Sequence, residues 1–206
     1  LISGISFVGY ILMKWFGEKG IEFTGILGGL ASSTAVTLSF AEHSKHQEHL
    51  YKALALGVIL ANGMMFGRVL LEVLVVNRAL FVHLLLPMLV LAAATGLFSY
   101  FVWKRAKHVS EEVELKSPFA LRPALKFGGV FALALAFLTL ANVYLSSEGV
   151  YLVSFLSGLA DADAIALSLS QLAGTSISLD TARDGIILGV LANTITKGGI
   201  AYLFGE

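Results

Sequence analysis

Two carboxylates stand inside an otherwise apolar stretch, in the run Gly158-Leu159-Ala160-Asp161-Ala162-Asp163-Ala164-Ile165-Ala166-Leu167-Ser168, with no cation close by in sequence. A carboxylate at bilayer depth costs roughly 2.5–3.5 kcal/mol on insertion scales. Two such costs in one segment call for either a buried partner or work on cations. The spacing adds a condition. Residues i and i+2 of a regular helix point about 200° apart, so both aspartates face one ligand only if the helix is broken there. Two outcomes stay open: a discontinuous helix with exposed carbonyls, or an intact one in which one aspartate pairs with a neighbouring helix. Lys197, isolated in its own apolar stretch, is the best candidate for that pairing.

The surroundings define the solvent. Of 206 residues, 57% are hydrophobic and 14% charged, with a mean hydropathy of +0.83. Soluble domains carry about 25% charged residues, so the chain reads as an all-α integral membrane protein. Its apolar runs have the length of membrane helices rather than of barrel strands. Seven transmembrane helices are expected, near 1–16, 22–41, 52–76, 79–103, 124–146, 150–173 and 183–204. The formal net charge of zero leaves no basic surface for nucleic acid. The absence of cysteine removes disulfides and thiolate metal sites.

Alternating the connections puts Lys45, Lys52, Lys104, Arg105, Lys107, Lys116, Arg122, Lys126 and Arg183 on one side, against Lys14, Lys19 and Arg78 on the other. The positive-inside rule then makes the first residue cytoplasmic and places Glu206 outside, in a multi-pass protein of the inner or plasma membrane. The chain opens on Leu1, and the short apolar run before Lys14 lacks the basic flank of a signal peptide. The expectation is a piece cut from a longer protein, or a chain trimmed at its first helix.

An internal repeat organises the helices. Residues 29–41 (GLASSTAVTLSFA) align with 158–170 (GLADADAIALSLS) at an offset of 129, six identities in thirteen. Residues 59–67 (ILANGMMFG) align with 190–198 (VLANTITKG) at an offset of 131, four in nine. Each offset steps over an even number of spans, so the copies run in the same direction. The expected plan is two parallel three-helix repeats, 1–76 and 124–206, joined by a linker helix and cytoplasmic loop over 77–123 (3+1+3). In transporters built from repeats, substrate binds near the midplane where the repeats meet. Small residues at four-residue spacing, Gly25-Gly29-Ser33 and Ser154-Gly158-Ala162, are expected to let helix backbones approach closely.

Repeat-related polar residues fall in one layer of this plan. Ser32 and Thr34 are the counterparts of Asp161 and Asp163, with Ser33 between them, and Asn62 aligns with Asn193. With Asp161 and Asp163 as ligands or relays, the hydroxyls and amides add the oxygen donors that suit Mg2+, Ca2+ or Mn2+. Lys197 would modulate the charge. The competing reading is a structural Asp–Lys pair with polar interhelical bonds. Arg68 and Glu72, four apart, are expected to pair with each other. Pro87 is expected to kink its helix, with His83 interfacial. His43, His46 and His49 sit three apart in a connection, a spacing that permits a metal site but equally suits a solvated loop.

The blocks GILGGLASSTAVTLSFA (25–41) and SGLADADAIALSLSQLA (157–173), with the opening SGISFVGY (3–10), resemble an uncharacterised prokaryotic membrane-domain family usually fused behind an MgtC/SapB-type domain. The resemblance implies an upstream MgtC-like half as partner and nudges the substrate toward divalent cations. The expected function is transport or channelling of a divalent cation of the Mg2+/Mn2+ kind, by a homo-oligomer in the lipid bilayer. No covalent cofactor is expected, the metal being substrate. Two alternatives stay open: a non-transporting regulator of MgtC type, and a small-solute carrier with the helix plan of SWEET-type proteins. Enzymatic catalysis is not expected, because no nucleophile motif and no central histidine–carboxylate pair is present.

Overall fold

The computed structural model describes the backbone of residues 7–8, 11, 20–45, 50–104 and 121–205, and the side chains of these except 121–128, 130 and 141–145. The described residues fold as six helices: α1 (Ile21–Ser44), α2 (Tyr51–Val76), α3 (Arg78–Trp103), α4 (Leu121–Ala160), α5 (Ala162–Leu172) and α6 (Leu179–Phe204). Among them α1, α2, α3 and α6 are long and apolar enough to cross a membrane, and Phe131–Leu140 in α4 is a further apolar stretch. Most of the predicted span at 1–16 and of the 104–123 connection lies outside the described residues.

Residue chemistry accounts for the helix ends. Gly20, at φ 112°, precedes α1 in a backbone conformation that other residues rarely take. A single residue, Asn77, separates α2 from α3, and its side-chain oxygen accepts from the Leu80 amide at 3.0 Å, capping the new helix. α3 passes Pro87 as one continuous helix. Beyond its first turns, its exposed residues are largely apolar, among them Leu86, Leu97 and Phe98, as suits a helix bathed in lipid rather than water. Tyr100 and Trp103 stack at its end, with Lys104 over the Tyr100 ring at 4.7 Å, the amphipathic grouping typical of a membrane–water interface.

The predicted spans at 124–146 and 150–173 take a different form. α4 covers the first and part of the second, turning at Ser146 (φ 53°, ψ −147°). The second is then interrupted at Asp161, where α4 ends and the short α5 begins. From Leu172 the chain turns through Gly174, at φ 81°, into α6.

The chain divides into two compact units, one of Leu1–Arg68, Val90–Phe119 and Lys197–Glu206, the other of Val69–Leu89 and Ala120–Thr196. The first unit is cored by Ile21, Val36, Phe40, Leu50, Leu54 and Ala61. In it, α1 lies so close to α2 that a Cβ at Gly25 would stand 2.6 Å from the Gly57 carbonyl oxygen, and one at Gly29 2.6 Å from the Ala61 Cα. The second unit repeats this motif between α4 and α6: a Cβ at Gly158 would overlap the Gly189 backbone, and one at Gly185 would meet Ser154 Oγ at 2.8 Å. The small-residue faces thus pack backbone on backbone. Taking Gly29 with Gly158, their partners Ala61 and Gly189 are 128 apart. This shifts α6 by three residues, nearly one helical turn, from the 131 of the sequence alignment.

Candidate functional site

Among the described residues, a helix of each unit is interrupted at an aligned position. In α1, Ser32 takes extended torsions (φ −165°, ψ 103°). Between α4 and α5, Asp161 does the same (φ −163°, ψ 119°). An extended residue removes the i→i+4 bonds that would span it, freeing carbonyls before it and amides after it. In an apolar surrounding each freed group must find a partner or line a polar site.

The break residue itself takes the amides. Ser32 Oγ accepts from the Ala35 amide at 3.2 Å. Asp161 Oδ1 accepts from the amides of Asp163 at 2.9 Å and Ala164 at 3.2 Å. Both are N-caps, and Asp161 is the stronger because an ionised acceptor shortens and strengthens such bonds. Asp163 lies in the first turn of α5, buried, where the helix dipole favours negative charge. The helix is therefore broken, as one of the two sequence-based outcomes required. The two aspartates no longer obey the 200° separation of a continuous helix.

The carbonyls are taken from the next helix. In the second unit, Asn193 Nδ2 donates to the Gly158 carbonyl at 3.0 Å, and Thr196 Oγ1 donates to the Leu159 carbonyl at 3.1 Å. In the first unit, Arg68 Nη1 donates to the carbonyls of Leu30 and Ala31, both at 3.3 Å. Leu30 and Leu159 each stand two residues before the break, so Arg68 and Thr196 hold corresponding stations. Their chemistry differs: one is a permanent cation and the other a neutral hydroxyl.

The predicted site residues fall in both units. Asp161, Asp163 and Asn193 gather at the second break. Ser32 and Ser33 form the first break, with Ser33 buried and its carbonyl accepting from Thr37 Oγ1 at 2.8 Å. Thr34 is exposed where its counterpart Asp163 is buried. Asn62 and Asn193 are not equivalent in their bonding. Asn193 clamps a break carbonyl, whereas Asn62 Oδ1 accepts from the ammonium of Lys197 at 3.0 Å. Lys197 is almost fully buried, with its Nζ also 3.0 Å from Met65 Sδ. Arg68, which the sequence places four residues before Glu72, directs its Nη1 to the α1 carbonyls.

Sequence reasoning missed Arg68 and Thr196 as carbonyl clamps and Asp161 as a helix cap. An Asp two residues before another acidic residue at a helix start is an N-cap signal, but the continuous apolar run around it masked the boundary. His43 Nδ1 lies 2.8 Å from the Ser39 carbonyl, while His46 and His49 lie outside the described residues. Among the described residues no cluster of three or more His, Cys, Asp or Glu is placed to hold a metal ion.

Comparison with known proteins agrees with the resemblance in its coarser form. A protein of Aquifex aeolicus (strain VF5), described as an uncharacterized protein, is 32% identical over 198 residues, covering 94% of this chain and 86% of the relative. No solved structure matches the chain significantly. The family described as Domain of unknown function (DUF4010) matches residues 1–205, and the chain belongs to that family.

Proposed function

We propose that the chain is a membrane transporter or channel for a cation, of the divalent Mg2+ or Mn2+ kind, with its binding site at the Asp161 break. The observation that supports this is a helix interrupted inside an apolar segment, with two carboxylates at the interruption. Backbone carbonyls at Gly158 and Leu159 stand beside it, each holding one neutral donor. A carbonyl has two lone pairs, so each retains capacity for a cation. Discontinuous membrane helices serve transporters in this way, presenting carbonyls and side-chain oxygens to ions. In this reading Asp161 and Asp163 bind or relay, Asn193 fixes the carbonyl geometry, and Lys197 bonded to Asn62 sets the local charge in the other unit. The seven-span 3+1+3 plan, the cytoplasmic first residue, the homo-oligomer and an upstream MgtC/SapB-type half belong to the same proposal.

A second reading has one observation in its favour. Asp161 is already employed as a cap, so the carboxylates can serve architecture alone in a regulatory membrane protein that transports nothing. Flux of Mn2+ and Mg2+ into proteoliposomes separates the two. Asp161→Asn keeps a good cap while removing the charge, and Asp163→Asn removes the second charge. Flux by the wild-type chain that falls in both variants, with helicity and monodispersity retained, supports the transporter. Unchanged flux in both, or none in the wild type, assigns the aspartates to capping.

A further inference from the structure

Arg68 is the residue that the proposed function leaves unused. It is a buried cation, only 6% exposed, on α2. A buried arginine cannot relieve its cost by losing its proton. It has to be compensated by oxygen, and its Nη1 finds the carbonyls of Leu30 and Ala31 just ahead of the Ser32 break. Freed carbonyls at a helix interruption are cation ligands by chemistry. At the first break a cation is therefore already on them, attached to the chain.

The second break has the same backbone event without the tethered charge. Thr196 stands at the station of Arg68 and gives the Leu159 carbonyl one hydrogen bond, while also lying 3.2 Å from the Ala192 carbonyl of its own helix. The break residue changes in step. A neutral serine caps where the arginine is present, and an aspartate caps where it is absent. Both differences run in the same sense: the second break gains a carboxylate and lacks the guanidinium.

We propose that Arg68 is a built-in cation that permanently fills the first break, leaving each chain with one exchangeable cation site, at Asp161. The proposal rests on the reading of the Asp161 break as a cation site. It goes beyond that reading by assigning opposite fates to the two halves and a positioning role to Arg68. In the wild type the first break is held shut to ions. Removing the tethered charge opens the first break, and adding one at the second closes it.

Mn2+ binding to the detergent-solubilised full chain, counted by electron paramagnetic resonance, tests this. The wild type is expected to bind one ion per chain. Ser32→Asp alone should leave the count at one, because the new carboxylate meets Arg68. The double variant Ser32→Asp, Arg68→Gln should raise it to two, the glutamine amide still donating to the carbonyls. Thr196→Arg, which transplants the tethered cation, should weaken binding at the remaining site by about tenfold or more. A folded double variant that still binds one ion, or a count of two with Ser32→Asp alone, overturns the proposal. Should the double variant fail to fold, Thr196→Arg decides, and wild-type affinity there overturns it. A wild type that binds no Mn2+ removes the cation reading itself, and this inference with it.

Discussion

The side-chain amide of Asn193, inside α6, donates to the carbonyl of Gly158 in the last turn before the Asp161 break, at 3.0 Å. Only the nitrogen can face a carbonyl oxygen, so the orientation of the amide is fixed by its partner. Hydrogen bonds between membrane helices average about 0.6 kcal/mol and reach about 1.7. Asn193→Ala is expected to cost about 1 kcal/mol, a fall of roughly 2–4 °C in the thermal midpoint in detergent for a chain of this size. Asn193→Asp should be worse than alanine, because a carboxylate then opposes a carbonyl. An aspartate variant as stable as the wild type would remove Asn193 from the role of clamp.

The glycine contacts give a sharper contrast. A Cβ at Gly158 would overlap the Gly189 backbone and one at Gly25 would press on the Gly57 carbonyl, whereas nothing lies within 4 Å of a Cβ at Gly67 or Gly96. Backbone cannot rotate aside as a flexible side chain can, so the helices must separate. Gly158→Ala and Gly25→Ala should each cost at least about 1–3 kcal/mol, the usual range for overpacking. Gly67→Ala and Gly96→Ala should be neutral or slightly stabilising, since alanine is the better helix former. Fluorescence-detected size exclusion after a heating series measures all four. Equal losses across them would mean that helix approach is not what the glycines provide.

How much of this was legible beforehand depended on the kind of signal. Apolar length found α1, α2, α3 and α6 to within a few residues, because the membrane sets helix length directly. The 29–41 and 158–170 blocks were legible as a repeat, and both interruptions fall within them, though only the one at the aspartates was considered from the sequence. The condition that i, i+2 aspartates can share one ligand only if the helix is broken came from helix geometry alone, which left the broken and the intact helix both open. The register of α6 did not follow. Asn62 and Asn193 are identical in type, and type matching overrode the packing of Gly29 on Ala61 and Gly158 on Gly189, which no one-dimensional comparison contains. Arg68 was assigned to Glu72 because the i, i+4 rule describes a helix surface. The α1 carbonyls that Arg68 meets, 37 and 38 residues away in sequence, are acceptors that this rule does not see.

Asn77 joins three elements of the second unit. Its oxygen caps α3 at Leu80, and its Nδ2 donates to the carbonyls of Ser170 at 3.2 Å and Ala173 at 3.1 Å, at the C-terminal end of α5. Asn77→Ala removes a cap worth about 1 kcal/mol and strands carbonyls that cost about 1–3 kcal/mol when buried without a donor. The expected result is a loss of about 2 kcal/mol or more, with Asn77→Asp recovering only the cap. Unfolding in graded denaturing detergent measures the order wild type, aspartate, alanine. An aspartate variant matching the wild type would show that the α5 carbonyls do not need the amide.

Asp161 offers the clearest separation of architecture from chemistry. As an N-cap it holds two amides of α5, and serine or asparagine can cap almost as well, while alanine loses about 1 kcal/mol. Stability should therefore run wild type, then Asp161→Asn and Asp161→Ser together, then Asp161→Ala. Cation flux should follow a different order, lost in all three because each removes the charge. The neutral caps matter most, since they keep α5 in place and change only what an ion would meet. Stability and flux measured on the same preparations resolve the question. Flux that tracks stability, surviving in the serine variant and failing in the alanine one, would make Asp161 a cap and move the ion's carboxylate to Asp163.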